Sequence, residues 1–208
     1  MANNFDAYFN TPSKQKRGEE RVEKILDSVE QTLDANPMAK LDVRSIADAA
    51  NISTGALYHH FPSIANLLTS LFIRKVKSTN RKTIDLINQL GSSVQLDELA
   101  NVLVDHTFLV WRKGNPDIKK IAIKFFYRNA KEPELLYTFI DPLIPHFKAF
   151  IARNTTNTIR NIADEDWSLI LRTIQTAVAS PFIEGQEGAG SDSHRRLAKD
   201  AFCRLLKK

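Results

Sequence analysis

The chain has 208 residues and a formal charge of +5, from 29 Lys and Arg against 24 Asp and Glu. At 43% hydrophobic it can bury one large core or two small ones, and no apolar run approaches the ~20 residues that span a bilayer. Only 7 Gly and 8 Pro suit a mostly helical chain, the first twenty residues lack an apolar run of signal-peptide type, and the single Cys203 excludes an internal disulfide and fits a reducing cytoplasm.

Residues 1–16 read as a flexible basic arm. Within it Lys14 and Lys16, with Arg17 beyond, are placed to reach a polyanion. A first helix is predicted from Arg17 to Ala35, with Val22, Ile25, Leu26, Val29 and Leu33 on its buried face, and Asn36-Pro37 ends it. Val43, Ile46, Ala47 and Ala50 then recur at i, i+3, i+4 and i+7, a short second helix with Asp42 at its N-cap. Asn51 stands where the chain must turn sharply, and Asn tolerates a left-handed backbone. Ser53 or Thr54 can cap a third helix, which Leu57 and Phe61 anchor four residues apart. Thr54, Gly55, Ala56, Tyr58, His59 and His60 are left for its outer face, the pattern of a helix-turn-helix.

Phe61-Pro62-Ser63 breaks and caps, opening a long helix to about Leu90. Gly91-Ser92-Ser93 marks the clearest internal boundary. Helices are predicted over Leu96–Lys113 and Asp117–Ala130, separated by Gly114-Asn115-Pro116. The next starts at Glu132-Pro133 and runs through Ile151, kinked at Pro142 and Pro145. Asp164 to about Phe182 and Asp192 to Leu206 follow, joined by a flexible Gly185–Ser191 connection. With no β-alternation the fold class is all-α, about nine helices: residues 17–62 form a helix-turn-helix domain and 63–208 a larger helical domain.

Arg21, Ile25 and Leu26, followed in register by Val43, Ile46, Ala47, Ala50, Ile52, Ser53, Gly55, Leu57, Tyr58, Phe61, Ser63 and Leu67, resemble the N-terminal domain of the TetR/AcrR family of bacterial one-component repressors. The resemblance covers roughly Arg17 to Leu71, and its most specific part is the Leu57-Tyr58-x-x-Phe61 pattern after the turn. Three positions depart from the family. Asn51 replaces the usual Gly, Asp42 replaces a Thr or Ser cap, and Ser63-Ile64-Ala65 replaces Ser-Lys-Glu, so the family's phosphate-touching Lys has Ile64 in its place.

The resemblance implies a homodimer on an inverted-repeat operator of double-stranded DNA, paired through helices near 164–182 and 192–206, and released by a small-molecule inducer. Thr54, Gly55 and Ala56 are the candidate base-facing residues; Ser53, Tyr58 and His59 suit phosphates; Arg44, Lys14 and Arg17 extend the footprint. Residues 1–60 carry seven basic and nine acidic side chains, so binding must depend on local placement rather than bulk charge. The middle helices hold the aromatic residues, and His106, Phe108, Trp111, Phe125, Phe126, Phe139 and Phe147 are the candidates for an apolar or aromatic ligand.

Two other readings are possible. In one, a DNA-binding factor of the same fold answers to a protein partner. In the other, the chain is an enzyme, but it has no GxxxxGK[ST], HExxH or GxSxG motif. No metal-ligand spacing, cofactor motif or membrane segment is present in the sequence.

Overall fold

The computed structural model describes residues 16–112, 115–128 and 139–208. Nine α-helices lie among them, together with two 3₁₀ turns and one isolated bridge between Ile159 and Lys207. They belong to two compact units. The first takes residues up to Lys75 together with Gly114–Asn129, and the second Val76–Lys113 together with Ala130–Lys208.

In the first unit α1 (Lys16–Ala35) buries Ile25, Leu26, Val29 and Leu33 of the stripe expected from its periodicity, while Val22 is only half-buried. α2 (Val43–Ala49) begins with a reciprocal cap. The Ser45 N–H donates to Asp42 Oδ1 at 2.9 Å, and the Asp42 N–H donates to Ser45 Oγ at 3.1 Å. The turn that follows holds Asn51 at φ 51°, closed by the Ile52 N–H on the Ala47 carbonyl at 3.0 Å. α3 (Thr54–His60) is capped by Ser53, whose Oγ accepts from the Ala56 N–H at 3.1 Å. Ile46, Ala47, Leu57 and Phe61 are all buried where α2 and α3 meet the core.

Asn51 makes this turn testable. A β-branched residue in the left-handed region costs about 1–2 kcal/mol, whereas Gly adopts it without that penalty. Asn51→Val is therefore expected to lower unfolding free energy by about that amount, and Asn51→Gly to leave it within about 1 kcal/mol, measured by urea denaturation.

α4 (Ile64–Gln89) starts with the Asn66 N–H on Ser63 Oγ at 3.2 Å. Its first half buries Leu67, Leu71 and Phe72 and carries Arg74 to three carboxylates of α1, Glu23, Asp27 and Glu30. Those acids recur at i, i+4 and i+7, so one guanidinium fork reaches all three. Burial alone would lower the Arg74 pKa, but the Asp27 hydrogen bond and the charges of Glu30, Asp27 and Glu23 outweigh it and raise it. α6 (Pro116–Arg128) also belongs to this unit. Asn115, only 4% exposed, donates to the carbonyls of Pro37 and Ala39 at 2.8 and 3.1 Å, and its Oδ1 accepts the Asp117 N–H at 2.9 Å. The connection between α1 and α2 is thereby fastened to the corner that opens α6.

In the second unit α5 (Leu96–Arg112), α7 (Ile144–Arg153), α8 (Trp167–Glu184) and α9 (Asp192–Leu206) surround one core that includes Leu99, Phe150, Leu171 and Phe202. Arg153 donates to the Ile87 carbonyl at 2.7 Å and Asn154 to the Val94 carbonyl at 2.8 Å, so two polar side chains satisfy the backbone at the end of α4 and just before α5. The helix expected from Glu132 is corrected over its described part. Phe139 and Ile140 form a turn, Asp141–Leu143 a 3₁₀ turn, and α7 begins only at Ile144. Pro142 and Pro145 both sit in first-turn positions, where no intrahelical N–H is required, so they start elements instead of kinking one. The stretch 132–138 lies outside the described residues.

The connection between α8 and α9 is a chain of hydrogen-bonded turns rather than a loose linker. Gly185 ends α8 at φ 71°, and Gly190 sits at φ 80° where a Cβ would lie 3.0 Å from the Phe182 ring. His194 holds the turn from both ring nitrogens: Nδ1 accepts the Gly190 N–H at 3.0 Å and Nε2 donates to the Ala177 carbonyl at 3.0 Å. Cys203 lies half-buried on α9, and burial with the neighbouring Asp97 pushes its thiol up to about 11, which suppresses thiolate chemistry.

Candidate DNA-reading interface

The outer surface of the helix-turn-helix collects the candidate contacts. Arg44 on α2 is exposed, as are Ser53, Thr54, Gly55, Tyr58 and His59, while Ala56 is half-buried. Tyr58 is 49% exposed although its neighbour Leu57 is buried, so the phenol is displayed outward and contributes little to the core. Gly55 has open space around it. A Cβ there would find only Ser53 Oγ, at 3.9 Å, and its backbone is ordinary helix. Nothing inside the unit demands glycine, whereas a surface that must lie flat on a base edge does.

The hydroxyls differ in what they still offer. Ser53 Oγ accepts from Ala56, and its own proton has no acceptor among the described residues. Ser45 Oγ accepts from Asp42 and donates to the Asp42 and Lys40 carbonyls, so it is saturated. Backbone and side-chain hydrogen bonds from Ser45 hold the Asp42 carboxyl below the usual range. Its negative charge occupies the start of α2, which makes that helix end unsuited to a phosphate. Ile64 is half-buried, and an apolar side chain at that position supplies no phosphate contact. Arg44 and Tyr58 stay exposed on the same two helices as the remaining candidates for a phosphate contact. Lys14 and the side chain of Arg17 lie outside the described residues.

His59 and His60 close α3 with their rings edge to face, 5.2 Å apart. Burial, then the charges of His59 and Arg21, hold His60 below the ordinary imidazole value, and burial followed by Lys82 does the same to His106 in the second unit. A folded-state pKa below the unfolded one means that the unfolded chain binds protons first as pH falls. Stability from these two groups is complete above about pH 6.5 and is lost as pH falls through that value towards their lowered ones. Thermal melts between about pH 7.5 and 5.5 should show a falling midpoint, and the His60→Gln and His106→Gln pair should flatten that fall.

The candidate ligand residues are dispersed. Phe108 is buried, packed edge-on to Phe182 with ring centroids 5.0 Å apart, against the His194 ring, and beneath the Arg112 guanidinium. Phe139 is buried and Trp111 packs half-buried on the same core as Phe108 and Phe147. Phe147 borders a cavity of about 60 Å³ that Thr83, Thr107, Ile174 and Gln175 also line. The side chains of Phe125 and Phe126 lie outside the described residues.

Periodicity and turn chemistry locate the candidate surface but leave out its supports. The Arg74 fork, the Asn115 bolt and the packing of α6 with the first unit join residues 40 to 80 apart in sequence. The single legible hint was the i, i+4, i+7 row of acids on α1.

Residues 25–71 match the sequence profile of the bacterial regulatory proteins of the tetR family. No curated protein matches the chain significantly. Among solved structures, a chain from Mesorhizobium loti MAFF303099 assigned to the TetR-family transcriptional regulators is 14% identical, with a TM-score of 0.59 over 93% of this chain and 100% of that one. A TetR-family transcription regulator from Marinobacter aquaeolei VT8 is 15% identical, with a TM-score of 0.51 over 93% and 98%. GusR of Salmonella enterica is 20% identical, with a TM-score of 0.54 over 90% and 95%. The chain thus carries the helix-turn-helix domain of the tetR family of bacterial regulatory proteins on a TetR-like, all-helical fold.

Proposed function

We propose that this DNA-binding regulator is a homodimeric, cytoplasmic repressor of an inverted-repeat operator, released by a small apolar ligand. In this reading residues 17–62 read DNA, and residues 63–208 dimerise and answer the ligand. The observation that carries it is the outer face of α3, where Ser53, Thr54, Gly55 and Tyr58 stand exposed on a helix whose Leu57 is anchored in the core. One such face reads only a few bases, so two copies about one DNA turn apart are needed for a specific site. Leu169 on α8 and Leu197 on α9 are 68% and 63% exposed, large apolar side chains on two helices of the second unit that pack on each other. They suit burial against a second copy.

The roles within α3 separate experimentally. Tyr58→Ala should weaken binding to all sequences alike and lower the salt dependence, because a phosphate contact carries no sequence information. Thr54→Ala should change which sequences are preferred. Fluorescence anisotropy on a set of single-base operator variants measures both. Unchanged affinity in Tyr58→Ala, or an unchanged preference profile in Thr54→Ala, contradicts these assignments.

A further inference from the structure

His106 lies on α5 between Leu103 and Thr107, both of which line the cavity of the second unit. The Thr79 backbone favours the protonated ring, the sense of a ring N–H facing the Thr79 carbonyl, one turn before Thr83 of the same lining. That contact engages one ring N–H. Nε2 is buried and has no hydrogen-bond partner among the described residues. Burial and the Lys82 charge disfavour the imidazolium, so Nε2 presents a bare lone pair. A buried acceptor without a donor is costly, and a donor that reaches it recovers that cost.

The nearby hydroxyls lean the same way. Thr83 Oγ1 donates its proton to the Thr79 carbonyl at 3.0 Å, and Thr107 Oγ1 donates to the Leu103 carbonyl at 3.0 Å. Both hydroxyl protons are spent on the backbone, so towards the cavity these oxygens only accept. Gln175 is the one lining group with an N–H to give, and the remaining described lining is apolar, without an ionised side chain. The cavity of about 60 Å³ holds about two waters, so a larger occupant enters by displacing side chains.

We infer that the second unit binds an uncharged, mainly apolar molecule that donates a hydrogen bond, an alcohol, phenol or N–H heterocycle, and that His106 Nε2 is its principal acceptor. This rests on the ligand-regulated reading above and narrows its ligand to one chemical class. A cationic ligand is disfavoured by a lining without a counter-charge beside a ring that already feels Lys82, and a carboxylate has no proton to give Nε2.

Matched probes that differ only in the donor test this on the full-length protein: phenol against anisole, and indole against 1-methylindole. With ¹⁵N-labelled histidine, phenol and indole should move the His106 Nε2 resonance and bind about tenfold or more tightly than their blocked partners. His106→Phe should bring both ratios close to one. Thr107→Val, which is isosteric, should reduce them part-way, and melting curves and operator binding establish that each variant is folded. Equal affinities within the pairs, ratios unchanged in His106→Phe, no binding of any probe at low-millimolar concentration, or tighter binding of benzoate than of phenol would overturn the assignment. A donor preference without any operator binding leaves it standing and removes the repressor reading instead.

Discussion

Charging the outer faces of α8 and α9 is expected to have the largest effect on function. In the Leu169→Glu, Leu197→Glu double variant the fold should survive, because both side chains are more than half exposed and neither belongs to the core of the second unit. Dimerisation should not. Two carboxylates would have to enter an apolar contact without partners, and each buried unpaired charge costs far more than the leucine it replaces contributes. Sedimentation should show a dimer for the wild type and a monomer for the double variant. Operator affinity should fall roughly a hundred- to ten-thousandfold, the advantage that a second linked head confers, while weak binding to a half-site remains. A double variant that still sediments as a dimer would place the interface elsewhere on the second unit.

The second large effect is expected at Gly55. Its surroundings are open and its backbone is helical, so Gly55→Ala is predicted to keep or slightly raise the melting temperature, as alanine replaces glycine within a helix. In the proposed reading the same methyl group stands on the face offered to base edges. Operator affinity should drop about ten- to a hundredfold, and Gly55→Val further. A stable variant with poor DNA binding is the signature of a residue kept for contact rather than for folding. Loss of both together would mean that glycine serves the packing of α3, which the space around it does not require.

These two expectations draw on different levels of the chain. Local chemistry was legible: Asn51 takes the left-handed turn, Asp42 and Ser53 are the caps, and Ile46, Ala47, Leu57 and Phe61 are buried at their helical spacing. Each of these depends on neighbours within a few residues, which sequence spacing reports directly. The segment around Pro142 and Pro145 was misread because a proline in a helical pattern can either kink a helix or begin one. The choice depends on whether its N–H would have been bonded, a tertiary matter. Asn115 resembled an ordinary loop breaker between Gly114 and Pro116, yet two carbonyls from the α1–α2 connection give it a buried structural task.

The aromatic residues of the middle helices show the same boundary. Their number suggested a ligand-lining set, but aromatic content cannot distinguish a side chain that fills space from one that borders it. Phe108 is committed to Phe182, His194 and Arg112, whereas Phe147 borders the cavity. The orphaned His106 nitrogen is a feature of three-dimensional hydrogen-bond accounting and has no sequence signature.

The central claim, a sequence-specific dimeric regulator, is tested most directly by selecting genomic DNA fragments on the purified protein at ~150 mM salt, where non-specific phosphate binding is weak. A short inverted repeat, with half-sites about one helical turn or a multiple apart and lying beside one or a few promoters, is the predicted result. Fragments recovered without a shared repeat, or in proportion to their length alone, would contradict it.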